Sequence, residues 1–199
     1  MVNIQNATID DVGSIVNIHL QAFKDFFLSS LGKDFLELYY SCFIKNSKAV
    51  VLVAKSDNEI IGFAAATSVS KGFNTSLVKE NLFSFALISV KLLFTKPHAL
   101  LRLARNLSKT SDNGKFNDNY AELFSIGVLP AGQGKGIGKM MLGSVEDNLR
   151  NTGVERLSLT TDYYNNTAVP FYQSMGYTVL YDFIAYPERR MYRFIKDLK

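Results

Sequence analysis

Tryptophan is absent from the 199 residues, cysteine occurs once and histidine twice. A single thiol, Cys42, forbids an intrachain disulfide. Its apolar neighbours Tyr39, Tyr40, Phe43 and Ile44 make it a buried structural thiol rather than a reactive one. His19 and His98 have no second histidine, cysteine or acid at ligand spacing, so no metal site is expected. No stretch reaches the roughly 18 uninterrupted apolar residues of a membrane span; residues 82–94 come nearest, and Lys91 interrupts them. Residues 1–6 carry neither a basic leader nor an apolar core, which argues against a signal peptide. With one cysteine, a reducing, cytoplasmic setting is expected.

Hydrophobic residues make up 47% and charged residues 20% of the chain. That composition supports a packed core, and the length suits a single domain over residues 1–199. The net charge of +4 is unevenly placed. Residues 71–109 hold seven basic side chains (Lys71, Lys79, Lys91, Lys96, Arg102, Arg105, Lys109) against one acid, Glu80, so this segment carries +6 and the remainder −2.

Hydrophobic periodicity lays out an α/β order. Residues 4–7 read as a strand, and Thr8 and Asp11 stand at capping-box spacing. Val12, Ile15, Val16, His19, Ala22 and Phe23 then recur at helical intervals. A second helix is expected over 31–44, and a hairpin of strands at 49–54 and 60–66 turns at Asp57-Asn58. Residues 70–118 interrupt this rhythm with helices at about 76–94 and 97–108, then a polar loop. A strand at 120–129, a helix at 134–151, a strand at 156–161 and a short helix at 167–175 follow, the last stopped by Gly176. Strands at 177–185 and 190–195, joined through Tyr186-Pro187-Glu188, close the chain.

The sharpest motif is Gln133-Gly134-Lys135-Gly136-Ile137-Gly138, set between a strand and a helix. Small residues let backbone N–H groups approach an anion, and the helix adds its free N–H groups and positive dipole end. A P-loop is excluded, because Gly127 and Gly132 are followed by Gln133-Gly134 rather than Gly-Lys-Ser/Thr. The dinucleotide fingerprint is excluded too, since Ile137 and Lys139 stand where its third glycine would fall.

The loop matches the Gln/Arg-x-x-Gly-x-Gly/Ala signature of the GNAT acetyltransferases through Gln133, Gly136 and Gly138. Ile126-Gly127-Val128-Leu129-Pro130 resembles that family's fourth strand. Asn165, Ala168, Phe171-Tyr172 and Gly176-Tyr177 resemble its second half. The resemblance spans nearly the whole chain except residues 70–118. It implies a GNAT fold: a central mixed, mostly antiparallel sheet of six to seven strands flanked by helices, with a helical insertion between strands 3 and 4. It also implies acetyl-CoA as cosubstrate, with no metal. Pantetheine would pair with Ile126, Gly127 and Val128 where strands 4 and 5 splay, often at a bulge. The amides of Gln133, Gly134, Lys135, Gly136, Ile137, Gly138 and Lys139 would hold the pyrophosphate, with Lys135 or Lys139 near the 3′-phosphate, and Asn165, Ala168 and Tyr172 would complete the cofactor site.

Acetyl transfer to an amine makes three demands. An alkylamine must lose a proton held with a pKa of about 10.4, the oxyanion needs a donor, and a thiolate of pKa about 8.5 must leave. By the resemblance, Tyr172 is the general acid, Glu122 the base and the Val128 amide the oxyanion donor. Strand alternation puts Glu122 on one face with Phe124 and Ile126. Asp162 and Tyr163 end the fifth strand on the acceptor side.

The acceptor is expected to be a small-molecule primary amine, with an amino sugar or a polyamine as the open choices. The stretch Phe23-Lys24-Asp25-Phe26-Phe27-Leu28, with Leu31-Gly32, resembles acetyltransferases of surface-sugar biosynthesis. For residues 70–118 three readings beyond a plain core extension stay open. They are a lid with Arg102 and Arg105 facing an anion, a homodimer interface through Leu82, Phe83, Phe85, Leu87, Ile88, Leu92 and Phe94, and contact with a membrane surface, the least favoured. Nucleic-acid binding is not expected, because no binding module accompanies the charge. A second function class, an acyl-CoA-binding sensor without turnover, is separated from the enzyme by thiol release on an amine panel.

Overall fold

The computed structural model describes residues 1–108, 120–185 and 188–199. The expected polar loop around 109–118 and residues Tyr186 and Pro187 of the final connection lie outside the described residues. Seven strands form one sheet: β1 (Asn3–Asn6), β2 (Ala49–Ser56), β3 (Glu59–Thr67), β4 (Ala121–Val128), β5 (Arg156–Asp162), β6 (Thr178–Ala185) and β7 (Arg189–Asp197). Their order is β1-β2-β3-β4-β5-β7-β6, antiparallel throughout except for the β4–β5 pair. The β2–β3 hairpin turns at Asp57 and Asn58, with φ of 50° and 68°. This is the left-handed pair that short polar residues tolerate and that matches strand twist.

Helices cover both faces. On one, α1 (Val12–Ala22), α3 (Lys33–Lys45) and the insertion bury Ile15, Phe35, Tyr40, Phe43, Phe63, Phe85 and Leu92. On the other, α7 (Ile137–Asn151) and α8 (Ala168–Ser174) close over Met141, Val145, Leu149, Leu159, Tyr172 and Phe194. The capping box at the first helical segment forms, with the Thr8 amide donating to Asp11 Oδ2 at 2.8 Å.

The helix expected at 31–44 begins at Lys33, and a separate α2 (Phe27–Leu31) precedes it. Gly32 between them has φ of +93°, which only glycine adopts freely. The helix expected at 76–94 is two, α4 (Phe73–Glu80) and α5 (Leu82–Thr95), broken at Asn81, whose side chain donates to the Leu77 carbonyl at 2.9 Å. An asparagine that satisfies a backbone carbonyl itself competes with helix continuation. Of the apolar residues on α5, Phe85 and Leu92 are core, whereas Leu82, Phe83, Leu87 and Phe94 are exposed. Then α6 (Pro97–Ser108) returns to the body, where Arg102 lies over the Phe27 ring at 4.7 Å.

The feature that positions the site is a fork in the sheet. β4 pairs with β5 only from Ala121 to Leu123, opposite Leu157 to Leu159. On its other edge, Ala65 faces Ser125 and Ala66 faces Leu123, so Phe124 is an extra residue without a partner in β3. Such a bulge bends a strand and reverses which way its later side chains point. Leu123 packs under α7, Phe124 joins Phe43 and Phe73 on the α3 side, and Ile126 and Val128 return to the α7 side. The alternation expected to align Glu122, Phe124 and Ile126 therefore fails at Ile126. Beyond the bulge, β4 leaves β5 and exposes an edge.

Candidate active site

A cavity of about 740 Å³ opens along that edge. One end is made of backbone. After β4 a 3-10 turn at Pro130–Gly132 leads into the loop, where Gly134 and Gly136 both have φ of +75°. Neither has anything within 4 Å of where a Cβ would stand, so the loop surface is bare. Gly136 rather than Gly134 opens the helix, because its left-handed backbone cannot lie within α7. The amides of residues 134–139 meet no acceptor among the described residues, whereas the Gln133 amide is taken by the Pro130 carbonyl at 3.2 Å. Gln133 acts through its side chain instead, donating to the Val128 carbonyl at 3.3 Å and tying the loop to β4. Six free N–H groups at a helix mouth are a ready anion site.

The middle of the cavity runs between β4 residues 123–128 and Thr160 and Thr161 of β5. Asn165 caps α8: its Oδ1 accepts from the amides of Thr167 at 3.1 Å and Ala168 at 2.8 Å. This leaves its amide nitrogen free to face the cavity that Asn165 lines. Tyr172 of α8 is 8% exposed, lines the same space, and packs on Phe171, Tyr177 and Phe194. Burial pushes its phenol well above the ordinary value, so it stays protonated across the physiological range.

The far end is made of side chains. Ala22, Phe23, Phe26, Phe27 and Leu28 from α1, α2 and their link face Ser125 of β4 and Arg189 and Met191 of β7. His19 of α1 lines it as well, 2% exposed, with Nδ1 2.7 Å from Tyr40 Oη. Burial pulls the imidazole down to about 4. Arg189 rests over the Phe26 ring at 4.4 Å and pairs with Asp162. Burial works to raise the Asp162 carboxyl, but Arg189 and the Tyr164 amide outweigh it and hold it below the usual range. Among the described residues no Asp or Glu lines the cavity.

Residues 14–177 match the model of the Acetyltransferase (GNAT) family. The chain belongs to that family. Among curated GNAT relatives, the uncharacterised N-acetyltransferase YdgE of Bacillus subtilis is 39% identical over 59 residues, 30% of this chain and 38% of that protein. A mycothiol acetyltransferase of Renibacterium salmoninarum is 39% identical over 56 residues, 28% of this chain and 17% of its own. The chain thus spans well under half the length of these two relatives. Bacillus subtilis YhfO, also an uncharacterised N-acetyltransferase, is 22% identical over 92% of this chain and 95% of its own. Two solved structures share the fold. An N-acetyltransferase from Staphylococcus aureus superposes with a TM-score of 0.64 at 15% identity, covering 100% of this chain and 99% of that one. YncA of Salmonella typhimurium, solved with acetyl-CoA, gives 0.61 at 16% identity over 100% and 95%.

Of the residues singled out in this GNAT chain, Ile126, Gly127, Val128, Gln133, Gly134, Gly136, Ile137, Gly138, Lys139, Asn165, Ala168 and Tyr172 all line the cavity. Lys135 does not, which leaves Lys139 as the loop lysine beside it. Glu122 is not among the lining residues either. Its Oε1 accepts from Arg193 Nη1 at 2.7 Å and its Oε2 from Ser70 Oγ at 2.5 Å. Ala168 offers only its side-chain surface, since its amide is spent on Asn165. Sequence reasoning missed His19, Ser125 and Arg189 as site residues. For His19 a signal was present: it is the one titratable residue among the inward positions of α1.

Proposed function

We propose that this protein transfers an acetyl group from acetyl-CoA to a primary amine. The observation that carries the reading is the row of six unengaged amides at residues 134–139, beside an unpaired strand edge and at one end of the cavity. A diphosphate fits such a row without a charged side chain, and Lys139 stands by for a further phosphate. The edge of β4 after Phe124 offers main-chain groups to an extended amide-bearing arm, as an added strand would take them. Asn165 is free to contact the same arm.

Acetyl-CoA, when bound, supplies the activated acyl group as a thioester; the rest falls to the protein. The Val128 amide is the expected oxyanion donor. Tyr172 is the expected donor to the leaving sulfur, and its burial shapes that role. A phenol raised well above a thiol gives up its proton only uphill, so hydrogen-bond donation is favoured over complete transfer. Glu122 is assigned a structural role, because both its oxygens are engaged and it lies off the cavity. The amine then arrives neutral, its proton lost to solvent. Among acceptors, a polyamine fits poorly, since among the described residues no carboxylate lines the space to receive its extra cations.

Calorimetry with coenzyme A tests the reading; absence of binding defeats it. Tyr172→Phe should lower kcat by about 10- to 100-fold with coenzyme A affinity within about twofold. An unchanged kcat would remove Tyr172 from the chemistry.

A further inference from the structure

Beside the amine end of the cavity, the lining residue His19 carries a buried polar atom that meets no partner among the described residues. His19 is 2% exposed, yet its Nε2 has no hydrogen-bond partner among the described residues. The ring is held on three sides: Phe23 at 4.9 Å, Tyr40 at 5.6 Å and Phe63 at 6.2 Å between centroids. Tyr40 Oη lies 2.7 Å from Nδ1 and itself donates to Ser125 Oγ at 3.4 Å. With the Tyr40 proton directed to Ser125, Nδ1–H donates to Tyr40 and the lone pair remains on Nε2. Buried polar atoms are seldom left unmatched, and one beside a cavity is matched by water, an ion or a bound ligand.

We propose that His19 Nε2 accepts a hydrogen bond from the acceptor's amino group, in a subsite that takes a monoamine carried on a body with an apolar face and disfavours polycations. The inference rests on the acetyltransferase reading above. Three observations support it. Burial holds the imidazole at about 4, so at neutral pH it is an uncharged acceptor that does not repel an amine. Phe23 beside it, with Phe26 packed edge-on against Phe23, offers an aromatic surface to a ring or the apolar face of a sugar. Among the described residues the charged groups lining the cavity are Lys139 and Arg189, the latter already paired with Asp162. A second ammonium on the acceptor therefore finds no counter-ion among the described lining residues.

The step balances without ionising His19. The amine lone pair attacks the thioester carbonyl carbon; a C–N bond forms and the C–S bond breaks. Nitrogen releases one proton to solvent, and the departing sulfur acquires one, yielding the amide and free coenzyme A. His19 holds the remaining N–H so that the lone pair faces the thioester, a contact made directly with the reacting nitrogen.

The test uses the full chain with acetyl-CoA and three acceptors: 2-phenylethylamine, glucosamine and spermidine. Turnover of at least one monoamine with kcat/KM about tenfold above spermidine is expected, and equal or reversed preference overturns the subsite. His19→Leu should lower kcat/KM for the favoured monoamine about tenfold while coenzyme A affinity stays within twofold. His19→Gln, which restores an acceptor oxygen, should recover part of the loss. A His19→Leu variant that binds coenzyme A and turns over normally overturns the proposal alone, whereas wild-type protein that binds no coenzyme A overturns the acetyltransferase reading with it. Should the variants fail to fold, the wild type decides. In 15N-histidine NMR of the coenzyme A complex, the favoured monoamine should shift the His19 Nε2 resonance, and an unmoved resonance at saturation rejects the contact.

Discussion

The two ends of the cavity are built from different materials. The loop end is backbone: amides of residues 134–139, two left-handed glycines and the first turn of one helix. The amine end is side chain, drawn from α1, α2, β4 and β7, with rings and one half-satisfied imidazole. Backbone amides present the same donor whatever the side chains, so the loop end suits a ligand that never changes. An end made of side chains is re-specified by substitution, so it suits the variable partner. The variants that follow probe whether the ends are separable, beginning with the strut beneath both.

Glu122 and Arg193 form that strut, with side chains 14% and 7% exposed and 2.7 Å apart. It links β4 to β7 through a charge pair that also holds Ser70 and Ser158. Breaking a buried pair by removing one partner leaves an uncompensated charge, at a cost of several kcal/mol. Glu122→Gln should therefore destabilise the protein by about 3 kcal/mol in chemical denaturation, while kcat per folded molecule stays within about twofold. A collapse of kcat with stability intact would reinstate Glu122 as the base and break the division between strut and site.

A change confined to the loop comes next. Gly136→Val places a β-branched residue at φ +75°, with open space around its Cβ, so the penalty is backbone strain rather than collision. The loop relieves the strain by turning its amides away. Loss of two charge-assisted hydrogen bonds corresponds to about a 100-fold weaker coenzyme A affinity by calorimetry. The melting profile of the His19–Tyr40 end should be untouched. If amine KM rises as strongly as the coenzyme A dissociation constant, the ends are coupled and the comparison fails.

This contrast also explains what was legible beforehand. Gln133, Gly134, Gly136 and Gly138 announce the loop because local spacing is enough to shape a backbone site. The succession of strands along the chain, in a sheet expected to hold six to seven, and the helical insertion after the third strand follow from periodicity and the family resemblance; the order β1-β2-β3-β4-β5-β7-β6 across the sheet does not. The resemblance allows for a bulge at the splay but not for its position: Phe124 is one apolar residue in an alternating strand, and only the register of β3 reveals that it is skipped. With it went the true facing of Ile126. The helix break at Asn81 depended on a side chain choosing the Leu77 carbonyl, a choice that helical periodicity does not record. The acceptor wall was hidden for a further reason. His19, Ser125 and Arg189 are separated by up to 170 positions and share nothing until the sheet brings them together.

The smallest effect comes from the amine end itself and is read in stability rather than activity. His19 titrates at about 4 in the folded protein through burial alone, with Tyr40 the one titratable group seen to bond it. In the unfolded chain it titrates near 6.5. A histidine whose folded value is depressed contributes nothing adverse above about pH 6.5. Below that, the unfolded chain takes up a proton that the folded one refuses, so stability falls until pH approaches about 4. Between pH 7.5 and 5 this linkage amounts to about 2 kcal/mol, a change that chemical denaturation resolves. His19→Leu should lose stability at neutral pH through disturbed packing, yet show a flatter slope across that window. If the slope persists without His19, another group carries it and the imidazole is better solvated than its burial implies. That outcome would take away the neutral acceptor on which the contrast between the two ends depends.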